Sequence, residues 1–99
     1  MLKHIVMMKL KPAHLELMTE RQTKLKDMLV ELKNHIAELE SMEVGLNFST
    51  RPQAMDLVLV STFKTEEALN IYRVHPQHID VLKYIDEVVA ESKVVDFWI

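Results

Sequence analysis

The sequence contains no cysteine. That excludes disulfides, thiolate catalysis, zinc–thiolate sites and iron–sulfur clusters, and it suits a reducing cytoplasm. Glycine occurs once and proline three times, which argues against long irregular loops and leaves no glycine-rich phosphate cradle. Basic residues never gather into a block that could follow a phosphate backbone, and the net charge is −3; nucleic acid is therefore a poor partner. No apolar run approaches the length of a bilayer-spanning helix. Met1-Leu2-Lys3-His4-Ile5 leads directly into a strand pattern, without the layout of a signal peptide. What remains is a chain of 99 residues, 48 % apolar and 27 % charged, the composition of one folded domain over residues 1–99. A monomer of this size hides only about 60–68 % of its unfolded surface, so spare apolar area argues for self-association.

The apolar pattern alternates between two periods. Leu2 to Leu10 carries His4, Val6, Met8 and Leu10 on one side and Ile5 and Met7 on the other, a strand buried on both faces. Lys11-Pro12 ends it. Leu15, Met18, Gln22, Leu25, Leu29, Leu32, Ile36 and Leu39 then follow the three-four spacing of an amphipathic helix, with a break expected near Asn34-His35. Met42 to Phe48 reads as a second strand and Met55 to Phe63 as a third, joined by a loop at Ser49-Thr50-Arg51-Pro52-Gln53. Thr65-Glu66-Glu67 is a helix start, a hydroxyl cap followed by acids. This helix breaks at His75-Pro76 and resumes to about Glu91, with Ile79, Leu82, Ile85 and Val89 as its buried stripe. Val94 to Trp98 closes the chain as a strand.

The order is βαββαβ. Right-handed crossovers turn that order into an α+β ferredoxin-like plait, a four-stranded antiparallel sheet with the helices on one face. The other face of such a sheet would be polar in a monomer. Here the first and third strands are apolar on both faces, and no element is left over to cover the second one. A second copy is the economical cover, giving a homodimer with sheets packed face to face.

The densest chemistry is Tyr72-Arg73-Val74-His75-Pro76-Gln77-His78. Pro76 biases His75 away from helical angles and favours the first position of a new helix. His78 then lies in the first turn, near the positive end of the helix dipole, which disfavours the imidazolium. A neutral imidazole suits a general base, and Tyr72 could polarise a carbonyl beside it. The plainer alternative makes His75 a helix cap, ties His78 to a local backbone group and leaves Tyr72 in the core. His4 has the same two readings: a core histidine bonded to a backbone carbonyl, or a wall of the same pocket. His75, His78 and Asp80 do not make a metal set, because the proline break spoils the helical spacing and no second ligand cluster exists. His14 and His35 fall among charged residues on the first helix and read as solvent-exposed. Seven methionines suit an adaptable apolar interior.

Lys3-His4-Ile5-Val6, Glu43-Val44-Gly45, Ser61-Thr62-Phe63, the Tyr72-x-x-His75-Pro76-x-His78 element and Val95-Asp96-Phe97 together resemble the stress-responsive dimeric α/β barrel (Dabb) family, over essentially the whole chain. The resemblance implies a homodimer whose two sheets close into a barrel with the helices outside. The chain is similar to a plant member of that family that closes a polyketide chain by a cofactor-free aldol condensation. By that likeness His78 is the base, Tyr72 assists it, His4 lies nearby and no cofactor is needed. His75 and Leu57 are expected at the substrate pocket, Leu57 standing where the cyclase carries a further histidine.

Two functional readings follow. The first is a small cofactor-independent enzyme acting on a keto or polyketide-like molecule by aldol closure, isomerisation or decarboxylation. The second is a non-catalytic module that binds a hydrophobic small molecule or protects under stress. Three side chains converging on a void favour the first, and a filled core favours the second.

Overall fold

A computed structural model describes all 99 residues. Strand β1 spans Leu2–Leu10, helix α1 Leu15–Glu31 with a 3-10 turn at Leu32–Asn34, strand β2 Ser41–Leu46, and strand β3 Leu57–Phe63. Helix α2 follows at Glu66–Val74, α3 at Pro76–Val88 and strand β4 at Val89–Trp98. All pairings are antiparallel and the strand order is β2-β3-β1-β4. This is the ferredoxin-like plait.

One face of the sheet makes the core. Leu2, Met8 and Leu10 of β1, with Leu57, Leu59 and Phe63 of β3, pack against Leu25 and Leu29 of α1 and Leu69 and Tyr72 of α2. Alternation sends the neighbours of these residues to the opposite face. Register lines Ile5 up with Val60 and Val95, and Met7 with Val58. No element of the chain lies over that second face, and Met7, Val95 and Phe97 are exposed there.

Local chemistry sets the helix ends. The His14 ring accepts the Leu17 amide and caps α1, so Leu15, expected in the buried stripe, stands 81 % exposed beside the cap. Thr65 accepts the Ala68 amide at 3.0 Å and starts α2. The break falls at His75, whose backbone is extended (φ −63°, ψ 136°), and α3 restarts at Pro76.

Several expected boundaries move. The last helix stops at Val88 rather than Glu91, and β4 begins at Val89 rather than Val94. The cause is pairing: β4 runs along β1 from Leu2↔Trp98 to Leu10↔Val89, through an irregularity at Lys9/Leu10, and the Lys11 amide donates to the Val88 carbonyl at 2.8 Å. A ladder of that length outweighs the local helical pattern. With Val89 in a strand, the buried stripe of α3 is Val81 and Val88, with Tyr84 and Ile85 packed alongside, while Ile79 and Leu82 are both 42 % exposed. Both strands of the hairpin also stop short of their expected ends, leaving a longer loop. The Asn47 amide donates to the Asp56 carbonyl at 2.9 Å, and the Asn47 side chain folds onto Ser49. β2 therefore ends at Leu46, β3 starts at Leu57, and Phe48 projects into solvent at 97 % exposure.

Candidate active site

A cavity of about 360 Å³ opens between the helix-bearing face of the sheet and the helices. Its wall is mainly apolar: Val6 and Met8 from β1, Leu59 from β3, Leu29 from α1, and Leu82 and Ile85 from α3. Into it come His4, Tyr72, Arg73 and His78, with Ser92 from β4.

The helix break positions His78. Because α2 ends at Val74 and α3 restarts at Pro76, the His78 ring turns back toward α2 and its Nδ1 meets the Arg73 carbonyl at 3.1 Å. A carbonyl only accepts, so Nδ1 carries the proton in the neutral ring and Nε2 keeps its lone pair. Nothing in the chain hydrogen-bonds that Nε2. Burial in the apolar wall lowers the pKa of His78. The bond to the Arg73 carbonyl acts the other way, and the charges of His4, Arg73 and His75 add smaller effects in the lowering direction. The net direction favours the neutral ring.

Tyr72 is 1 % exposed, packed between Phe63, with ring centroids 5.1 Å apart, and His78, at 4.3 Å. Its burial raises the phenol pKa well above the usual value, so it stays protonated and donates. The hydroxyl has no partner within the chain. No buried side-chain oxygen or nitrogen is both enclosed and unpaired, so this hydroxyl opens into the cavity that Tyr72 lines.

His4 enters from the sheet. Its Nδ1 is hydrogen-bonded to Asp96 Oδ1, its direct cross-strand partner in β4, and its ring stands edge-on to Phe63 at 6.5 Å. The carboxylate holds the ring with Nε2 free, the arrangement used wherever an acid orients an imidazole. The second oxygen of Asp96 faces the Arg73 guanidinium at 3.6 Å. The cavity thus presents two imidazoles, each held at Nδ1, and a phenol donor. Such a set can take a proton from carbon next to a carbonyl, stabilise the oxygen that gains charge, and return the proton.

The structure brings His4, Tyr72 and His78 together at one void. His75 is elsewhere in role: its ring accepts the Gln77 amide at 3.1 Å and caps α3, and it does not line the cavity. Leu57 is likewise outside the lining; it is buried opposite Met8, and Leu59, two residues on and on the same face, takes the place on β3. Arg73 and Asp96 went unassigned from the sequence. The signal for Asp96 was its inward parity: in β4 it alternates with Val94 and Trp98 on the helix-bearing face, beside the strand that carries His4. No group of three or more His, Asp or Glu side chains is gathered as a metal would need, and no helix is long and apolar enough to cross a membrane.

The family model of the stress-responsive A/B barrel domain (Dabb) matches residues 2–99, and the chain belongs to that family. No curated protein matches the sequence. Among solved structures, a dimeric ferredoxin-like protein of unknown function from Bacteroides fragilis is 26 % identical, with a TM-score of 0.91 over 99 % of this chain and 95 % of its own. A dimeric ferredoxin-like protein from Thermobifida fusca is 21 % identical, with a TM-score of 0.83 over 99 % and 90 % of the two chains. The hydroxynitrile lyase of Passiflora edulis shares the fold at 16 % identity, with a TM-score of 0.78 over 99 % and 92 %.

Proposed function

We propose that this chain is a homodimeric, cofactor-independent enzyme that moves a proton on a keto or polyketide-like small molecule. His78 Nε2 removes the proton from the carbon next to the carbonyl. The electron pair shifts onto the carbonyl oxygen, which the Tyr72 hydroxyl stabilises by donating a hydrogen bond. His4, held by Asp96, orients the substrate or carries the proton onward. Aldol closure, isomerisation and decarboxylation all pass through such an enolate.

The observation that carries the reading is the His78 Nδ1 contact with the Arg73 carbonyl at 3.1 Å, which leaves a basic nitrogen on an apolar cavity beside an unpaired phenol. That a protein with this fold is named a hydroxynitrile lyase supports an enzyme on this scaffold. The homodimer is supported by the uncovered apolar sheet face and by the two relatives described as dimeric. Light scattering at micromolar concentration should give twice 11.6 kDa, with about 2,000 Å² or more buried in total. Val60→Glu, at the centre of the uncovered face, should yield monomers; a wild-type monomer would refute the assembly. A cytoplasmic location goes with this proposal.

The second reading keeps the cavity and drops the chemistry: a module that binds a hydrophobic small molecule. Its support is that His78 and His75 each also serve the backbone, the first at Arg73 and the second as a helix cap. Solvent-deuterium exchange separates the two. Wild type should speed exchange at the α-carbon of simple ketones and 1,3-diketones, followed by proton NMR, and His78→Ala should not. Exchange that is equal with and without protein would leave only the binding reading.

A further inference from the structure

The proton-transfer reading leaves one charged group in the cavity without a task. Arg73 sits on the last turn of α2, and its backbone carbonyl already orients His78. Its side chain does something separate. Arg73 lines both the large cavity and a smaller one of about 220 Å³ beside it, which Asp96, Glu66 and Trp98 also line.

Its partners are loose. The Asp96 Oδ2 contact is 3.6 Å and the Asn70 Oδ1 contact 3.4 Å, both longer than the roughly 2.7–2.9 Å of a charge-assisted bond. A guanidinium has five donors in a fork that matches a carboxylate, and most of these are unspent. Asp96 is not free to take them as a two-oxygen partner, because its other oxygen holds His4. The Arg73 side chain is 50 % exposed, and an ion pair so placed is weak enough to give way to a better acceptor.

The surroundings choose the sign and the side. Among residues lining the large cavity, Arg73 alone carries a permanent charge, and no carboxylate lines that cavity. The smaller cavity holds Glu66 and Asp96, which repel an anion. A carboxylate reaching Arg73 is therefore favoured from the large cavity, where His78 and Tyr72 wait.

We propose that Arg73 anchors a carboxylate on the ligand, so that the substrate class is a keto carboxylate with an apolar chain. The acid group would lie on the guanidinium, the carbonyl at Tyr72 and the acidic carbon toward His78, with the chain along Leu59, Leu82 and Ile85. This assignment rests on the proton-transfer reading of the same cavity.

The test uses 4-oxooctanoate and its methyl ester, which differ only in the charge, titrated into the wild-type protein while the His78 ring signals are followed by NMR. The acid should bind on the order of tenfold more tightly than the ester, the value of a hydrogen-bonded charge. Arg73→Gln should weaken the acid to the level of the ester and leave the ester unchanged. Arg73→Lys should restore part of the preference. The substitution keeps the backbone carbonyl that holds His78, and the acid–ester comparison in wild type needs no variant at all. Equal binding of acid and ester, or a preference that survives Arg73→Gln, overturns the anchor. If the ester still exchanges its α-protons, the proton-transfer reading stands without it. If neither compound moves the His78 signals, both fall.

Discussion

Taking one oxygen from Tyr72 separates what the residue does for the fold from what it does for the ligand. The ring is 1 % exposed and wedged between Phe63 and His78, so Tyr72→Ala should cost about 3–5 kcal/mol, the range for emptying an aromatic site in a core. Tyr72→Phe keeps the ring and its packing. The hydroxyl has no partner in the chain, so its loss orphans no donor or acceptor, and stability should change by less than about 0.5 kcal/mol. Function should respond in the opposite proportion. If the phenol donates to the oxygen that becomes an enolate, its removal should slow α-carbon exchange by about 10²–10³-fold, as for other single donors aimed at a developing oxyanion. Urea unfolding at fixed protein concentration gives the first quantity, since the midpoint of the proposed dimer would depend on concentration, and the NMR exchange assay gives the second. A Tyr72→Phe protein destabilised by more than about 1.5 kcal/mol would mean that the hydroxyl makes a structural bond. Unchanged exchange would mean that Tyr72 is not the donor.

Other outcomes follow from single contacts. His78 should titrate below its unperturbed value of about 6.5, because burial lowers its pKa. The unfolded chain then takes up the proton first, so stability falls as pH drops from about 6.5 toward the folded-state pKa and is flat in this contribution below it. His78→Gln should remove that slope, and an NMR midpoint at or above 6.5 would refute the general base. Asp56 ties the hairpin loop to β1: its carboxylate accepts the Leu10 amide at 2.7 Å. Asp56→Ala should cost about 1–3 kcal/mol in a urea melt by orphaning that amide. His75→Ala removes the cap of α3, where the ring accepts the Gln77 amide, and should cost about 0.5–2 kcal/mol while binding in the cavity persists; loss of ligand binding without loss of stability would return His75 to the pocket wall.

Much of the fold was readable because its periods are clean. The strand alternation in Leu2–Leu10 and the three-four spacing from Met18 to Leu39 each stand on many residues, and the doubly apolar strands pointed to a partner. The ends were harder. Val89 to Ser92 follow the helical run without a stop signal, and only the ladder to β1 makes them a strand. Phe48 continues the alternation of β2 on paper, yet the Asn47–Ser49 turn ends the strand before it. In both places a contact distant in sequence or a side-chain hydrogen bond overrides a local pattern, and neither is encoded in periodicity.

The site divides along the same line. Tyr72 and His78 are six residues apart on one broken helix, so local reasoning brought them together. The partner of His4 lies 92 positions away. Finding it required knowing not only that β1 and β4 are neighbours but that their register sets His4 opposite Asp96; a shift of one residue would turn Asp96 to the uncovered face. The two readings of the histidine cluster, set against each other by sequence alone, do not exclude each other in the structure. His78 does satisfy a backbone carbonyl, and that same bond fixes its tautomer and leaves Nε2 basic. His75 does cap a helix, and that cap begins the turn from which His78 reaches the cavity. Under the proposed function, a residue's structural bond is the means by which its neighbour, or its own other nitrogen, is made ready for chemistry.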